Sequence, residues 1–345
     1  MAKMDAVVLY EHGGPEVLKF EQIDQPEPGA HDVRVAIKAV ALNHLDLWVR
    51  KGSPAFKLEY PHRLGADIAG VIDAVGDEVE GLEVGQKVVV NPGVSCGHCK
   101  QCLAGHDNLC RHYGILGEHT QGGYAQYIVV PRQNIAPYPA DLPWDKAAAG
   151  LLTFLTAWQM LVKKARIEPG QLLLIHGAGS GVGVAALQIA RLFNCKVIAT
   201  AGSEAKLAGA RELGATHTIN YREADFVAEV KAITKKAGVD VVFEHVGGDT
   251  FANSIKVTRN GGRIVTCGAT SGFEPSIDLR HVFFRQIEVL GSTMGSKADL
   301  LSVLEHTAAG RFEPIVHQVL PLRQAADAHR ILEERKAFGK VVLTP

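Results

Sequence analysis

Two rhythms of apolar and polar residues divide the chain. In its first part, short segments alternate apolar and polar positions, as in Val33-Arg34-Val35-Ala36-Ile37-Lys38 and Gln86-Lys87-Val88-Val89-Val90, with Gly and Pro between them. A period of two puts the apolar side chains on one face of a strand, so this part is predicted to be a half-buried antiparallel barrel or sandwich. From about Pro169, apolar strands alternate with helical patterns: Leu172 to His176, helix, Lys196 to Thr200, helix, Thr216 to Asn220, helix, Val239 to Glu244. Apolar strands with helices between them predict an α/β fold with a doubly wound parallel sheet. After Gly291, helices Ala298 to Ala309 and Arg323 to Glu334 and a strand Lys340 to Leu343 are predicted to return to the first domain.

At 345 residues and 47% hydrophobic, the chain has apolar material for two domains. Its 36 basic and 37 acidic side chains leave a formal charge of -1, which favours neither nucleic acid nor an anionic membrane. Small ligands are expected. No leader pattern and no long apolar run is read, so the expected location is the cytoplasm. Of the six cysteines, Cys195 and Cys267 stand alone and are expected to be buried and inert.

Strand Leu172 to His176 runs into Gly177-Ala178-Gly179-Ser180-Gly181-Val182-Gly183 and then an amphipathic helix. Glycines there let a pyrophosphate approach the helix N-terminus, whose unpaired N–H groups and dipole favour anions. The turn departs from G-x-G-x-x-G: counted back from Gly183, the first glycine is Ala178 and the second position after it is Ser180. The following strand ends in Thr200-Ala201-Gly202-Ser203. An acid at that tip would bind the ribose 2′-hydroxyl. Ala201 leaves room instead, and Ser203 and Lys206 suit a 2′-phosphate, so NADPH is expected, with NADH the alternative and Glu204 the counter-argument.

Cys96-x2-Cys99-x2-Cys102-x7-Cys110 supplies four soft thiolates from one loop, the donor set of a closed tetrahedral zinc site. Such a zinc has no open position and pins a loop; an iron–sulfur cluster is the rival occupant. His98, His106 and His112 lie nearby and are not assigned to the metal.

These features, with Asn43-His44-Leu45-Asp46, Gly65-Ala66-Asp67-Ile68-Ala69-Gly70-Val71, Val75-Gly76 and the closing Gly339-Lys340-Val341-Val342-Leu343, make the whole chain resemble the medium-chain dehydrogenase/reductase superfamily. The resemblance implies a GroES-like β-rich catalytic domain over 1–152 and 293–345, with a zinc lobe at 93–112, and a Rossmann domain over 153–292. It also implies that Thr156 lies against the nicotinamide, that Gly268 and Thr270 join Gly179, Ser180, Gly181 and Val182 at the cofactor, and that the protein is a homodimer or homotetramer. Strand Glu288 to Leu290 is the candidate edge.

Zinc alcohol dehydrogenases of this superfamily hold a second, catalytic zinc. Here the matching ligand positions are Asn43, Ala66 and Leu152, and the hydroxyl relay position is Leu45. The Gly65-x-Asp67-x-x-Gly70 and Asn43-x-x-Asp46 patterns look instead like the quinone oxidoreductase branch, which usually lacks the cysteine lobe. The expectation is an NADPH-dependent reductase of quinones or other α,β-unsaturated carbonyls. Asn43 either donates to a substrate carbonyl or holds the nicotinamide ribose, or is a buried amide bridging backbone. His44 serves either the cofactor or the surface. Asp46 either orients Asn43 or caps a helix, and the structural role is preferred for it and for Asp67. Trp48, Phe56 and Tyr60 either wall an apolar substrate pocket or pack in the core. The alternatives are an alcohol dehydrogenase that rebuilds a catalytic metal site from Asp67, His44 or His62, and a non-catalytic NADPH-binding protein.

Overall fold

A computed structural model of the chain describes residues 2–53, 57–139 and 142–345; Phe56 lies outside the described residues. The chain divides into two compact units, Met1–Leu152 with Ser296–Pro345, and Thr153–Gly295.

The first unit is built on a mixed sheet in the order Val316–Pro321, Lys340–Thr344, Asp32–Ala41, Asp67–Val75, Lys87–Val90, Ile135–Pro137, with Tyr127–Pro131 also paired to Asp32–Ala41. The alternating pattern works as written: Val33, Val35 and Ile37 are buried, while Lys38 faces solvent. They pack with Ile68, Val88, Val90, Ile128 and Val341 into one core, where each buried aliphatic side chain is worth roughly 1.5–3 kcal/mol. Lys340–Thr344 pairs antiparallel to Asp32–Ala41 through Val342 and Leu343, so a late segment closes an early sheet.

Helix His44–Lys51 leaves this sheet directly after Ala41. Arg50 on its inner side is fully buried; it donates to the Gly13 carbonyl and pairs with Glu333, and His329 joins it to the Tyr124 hydroxyl. Burial pushes the His329 imidazole down to about 3, so it is neutral beside that guanidinium. The helix is thereby tied through its last turn to Ala325–Glu333.

In the second unit all six strands are parallel, in the order His217–Asn220, Lys196–Ala201, Leu172–Ile175, Val239–Glu244, Thr258–Thr266, Glu288–Gly291. Leu173, Leu174, Val241, Val242 and Phe243 are wholly buried because helices cover both faces. The strand order reverses between Leu172–Ile175 and Val239–Glu244, the place where such sheets open a crevice at their carboxyl ends.

Two expectations need correction. Cys195 and Cys267 are half-buried, because each sits at a strand end; burial still pushes their thiols up to about 11 and about 12, which keeps them protonated. Tyr60 is 43% exposed, edge-on to His12, so it is not core packing. No helix among the described residues is long and apolar enough to cross a membrane.

Candidate active site and metal centre

The cysteine lobe hangs between two short paired strands, Gly93–Val94 and Gly114–Ile115. Cys99 precedes and Cys102 lies within a one-turn helix, Lys100–Leu103, while Cys110 follows the turn Asp107–Leu109. Their sulfurs gather to 3.9 Å for Cys96 and Cys102, 3.5 Å for Cys99 and Cys102, and 3.6 Å for Cys110 and Cys96. A tetrahedron with Zn–S bonds of 2.3 Å has edges of about 3.8 Å, so the four thiols fit one zinc ion. A cluster carrying its own inorganic sulfides would hold them further apart. Backbone N–H groups of His98 and Cys99 pull the Cys96 thiol down to about 6, towards the thiolate a metal needs. His98 turns its Nδ1 to the Cys96 carbonyl, away from any ligand role. Asp107 ties the lobe to the returning segment by accepting the Lys297 N–H at 2.9 Å.

The positions matching the catalytic zinc ligands hold a different object. Lys340 Nζ donates to Asp67 Oδ2 at 2.9 Å and to Asn43 Oδ1; Asn43 Nδ2 donates to the same Asp67 oxygen at 3.0 Å; and the Leu152 N–H donates to Asp67 Oδ1 at 2.9 Å. All the side chains are buried: Asp67 is 0%, Lys340 4% and Asn43 7% exposed. A catalytic zinc does not fit this set. Amide, methyl and aliphatic groups replace the soft donors, and a buried ammonium sits where a second cation would be repelled.

Asp46 accepts the Asn43 and Gly65 N–H groups at 2.7 and 2.8 Å, the returning half of a capping box, which is the structural role expected for it. Burial raises its carboxyl to about 6 despite these bonds; nearby Asp67 adds to the rise and Lys340 opposes it. His44 is exposed, edge-on to Trp48 at 6.5 Å. His62 is buried against the Gly117 carbonyl at 3.0 Å. Among the described residues, the four lobe cysteines form the one His, Cys, Asp or Glu group suited to a metal, so Asp67, His44 and His62 are not brought together as ligands. Lys340 is the residue that sequence reasoning missed; its signal was a lysine in an otherwise apolar closing strand.

In the second unit, Gly177 turns with φ +56° and Ala178 is wholly buried. The tight turn therefore starts one residue earlier than a count back from Gly183 suggests. Gly183 is obligatory: a Cβ there would lie 2.5 Å from the Gly177 carbonyl oxygen. Ser180 caps helix Gly181–Leu192 by accepting the Gly183 N–H at 3.0 Å, which leaves the Gly181 and Val182 N–H groups for an anion.

A buried polar network braces this turn. Glu244 accepts the N–H groups of His245, Val246 and Gly247 and the hydroxyls of Thr250 and Ser254; His176 bonds Ser254 and Thr200; His245 bonds the His176 carbonyl. Burial would raise Glu244, but His176 and these donors hold it below the usual carboxylate range. The loop with Gly268 and Thr270 is laced to the His245 loop, with the Thr270 N–H on the His245 carbonyl and Gly247 bridged to Gly272. Thr156 is buried, its hydroxyl on Met294 Sδ at 3.9 Å.

At the tip of Lys196–Ala201, a Cβ on Gly202 would fall 2.7 Å from the Tyr221 hydroxyl and 3.0 Å from Arg222 Nε. Both residues follow the neighbouring strand His217–Asn220, so parallel pairing delivers a guanidinium beside Gly202. Glu204, the acid nearest the tip, is ion-paired with Arg211.

Residues 29–140 match the alcohol dehydrogenase GroES-like domain and residues 181–309 the zinc-binding dehydrogenase family. The quinone oxidoreductase of Mus musculus is 30% identical over 99% of this chain and 97% of its own length. A solved NAD-dependent alcohol dehydrogenase is 55% identical with a TM-score of 0.96, covering 99% of this chain and 100% of that one. A cobalt- and zinc-bound thermostable alcohol dehydrogenase from Pyrobaculum aerophilum is 35% identical with a TM-score of 0.91 and full coverage of both chains. A GroES-like unit, a parallel sheet of Rossmann order and a cysteine lobe thus occur in one chain with whole-length relatives, and the protein belongs to the medium-chain dehydrogenase/reductase superfamily of oxidoreductases.

Proposed function

We propose that the protein is an NADPH-dependent reductase of quinones or other α,β-unsaturated carbonyl compounds, with one structural zinc and no catalytic metal. The observation that carries this reading is that Asn43, Ala66 and Leu152 stand at the three ligand positions of the catalytic ion in zinc alcohol dehydrogenases, with Asn43 bonded into a buried cluster with Lys340 and Asp67. Bound NADPH supplies the hydride, and reduction of a conjugated carbonyl needs no Lewis acid if the protein orients the acceptor and stabilises developing charge.

The Gly181 and Val182 N–H groups would hold the pyrophosphate. Ser203 and Arg222 would take the 2′-phosphate, a charge-assisted contact worth about 1.5–3 kcal/mol. Arg222→Ala is expected to raise KM for NADPH at least about tenfold while leaving NADH unchanged. Purified protein given NADPH and a panel of quinones, enones and enoyl thioesters should oxidise the cofactor; silence across the panel sinks the reading. Tight NADPH binding with that silence would leave a non-catalytic binding protein.

A second reading, an NAD-dependent alcohol dehydrogenase, is favoured by the 55% identity to a solved enzyme of that description. Faster alcohol oxidation with NAD+ than carbonyl reduction with NADPH would select it. The protein should also self-associate through Glu288–Gly291, the terminal strand of its sheet, where Val289, Phe283 and Phe284 are exposed. Light scattering that finds a monomer refutes this.

A further inference from the structure

The buried cluster has more donors than acceptors. Lys340 carries three N–H donors and Asn43 Nδ2 two; the cluster's carboxylate and amide oxygens take two of the first and one of the second, and no other described residue takes the rest. Both atoms have partners, and each keeps one N–H that no described residue accepts, on side chains only 4% and 7% exposed. What they lack is an oxygen.

We infer that Lys340 Nζ and Asn43 Nδ2 form an oxyanion site for the substrate's carbonyl oxygen, with the ammonium in the electrophilic role that a metal plays in zinc alcohol dehydrogenases. The inference rests on the carbonyl reductase reading. In a conjugate reduction the cofactor would supply the hydride that adds at the β-carbon as the C=C electron pair moves to form the enolate; the two N–H groups would hold the negative oxygen until a solvent proton reaches the α-carbon. The cofactor is oxidised and the carbonyl compound reduced by two electrons. Asp67 is a positioning residue: it holds both donors and keeps the ammonium charged, with its other oxygen anchored by the Leu152 N–H.

The test uses p-nitrophenol, whose phenolate absorbs strongly, titrated into the NADP+-saturated protein below the dye's own pKa. The wild type should bind it as phenolate, and Lys340→Arg should keep that band. Lys340→Met should weaken phenolate binding at least about tenfold and lower kcat for enone reduction about 10²- to 10³-fold, with KM for NADPH nearly unchanged. Since Lys340→Met strands a buried carboxylate, Lys340→Met/Asp67→Asn is measured beside it, with fold checked by circular dichroism. Unaltered phenolate binding in the double variant overturns the inference. So does loss of NADPH affinity with kcat retained, which would assign the cation to the cofactor phosphates. A wild type that reduces enones yet binds no phenolate sinks the oxyanion site alone; one that binds phenolate but reduces nothing on the panel supports the site and sinks the reductase reading.

Discussion

The cysteine lobe and the Lys340 cluster are two answers to one problem, how to place a positive charge in the first unit. In the lobe, four thiols stand 3.5 to 3.9 Å apart in the pairs that touch, around a space for one ion, and the charge is borrowed from solution. In the cluster, the cation is a side chain, fixed by Asp67 and Asn43 and made with the chain. The difference teaches that soft ligands and hydrogen-bond acceptors are exclusive choices at a given place: thiolates invite zinc, whereas an amide and a carboxylate already neutralised by lysine offer it nothing.

The comparison can be broken most forcefully at the lobe. Replacing Cys96 and Cys99 by Ser should take metal content from about one zinc per chain to none, since structural zinc binds with roughly 10–16 kcal/mol in small domains; elemental analysis and a lowered Tm check it. A chelator that removes this zinc should unravel 93–112 before it touches the cluster, which hydrogen exchange resolves.

Lys340→Met comes next. It leaves Asp67 buried and unpaired, at a cost of about 3–5 kcal/mol by denaturant titration, and Lys340→Met/Asp67→Asn should recover most of that. If the single variant is as stable as wild type, the cluster is not a charge pair. Asp46 then gives a pH test. Its carboxyl, raised to about 6 in the fold from an ordinary 3.8, binds its proton more tightly folded than unfolded. Its contribution is therefore present below pH 3.8 and lost as pH rises to about 6, an effect of about 3 kcal/mol at most. The difference in unfolding free energy between wild type and Asp46→Asn, measured by denaturant titration from pH 4 to about 7, should change by up to that much; a flat difference refutes it. The smallest effect is predicted for His98→Ala, within about 0.5 kcal/mol and with zinc content unchanged, because its ring faces a carbonyl.

Much of this was legible in the sequence. The alternation at Val33, Val35 and Ile37 and the apolar runs at Leu172 and Val239 wrote both sheets, because burial on one or two faces is what those patterns encode. Cysteine spacing named the metal lobe. Lys340 was not legible as a site residue, since nothing local says that its strand lies beside Asp32–Ala41; that is a pairing across the fold. Arg222 escaped for the same reason, its place beside Gly202 being set by parallel pairing. The glycine turn was read from Gly177 onward, but the count back from Gly183 put the fingerprint's first position at Ala178, because the positive φ at Gly177 is not written in the spacing.

The discontinuity of the first unit has a consequence in time. Asn43 and Lys340 are separated by 297 positions. At about 5–20 residues per second of synthesis, a ribosome takes roughly 15–60 s to deliver the lysine after the asparagine. The contiguous unit Thr153–Gly295 is complete before then, whereas the sheet around Asn43 waits with one edge unfilled and Asp67 without its counter-charge. Nascent chains should therefore acquire a cofactor-binding half first, and that interval is when a chaperone has most to shield.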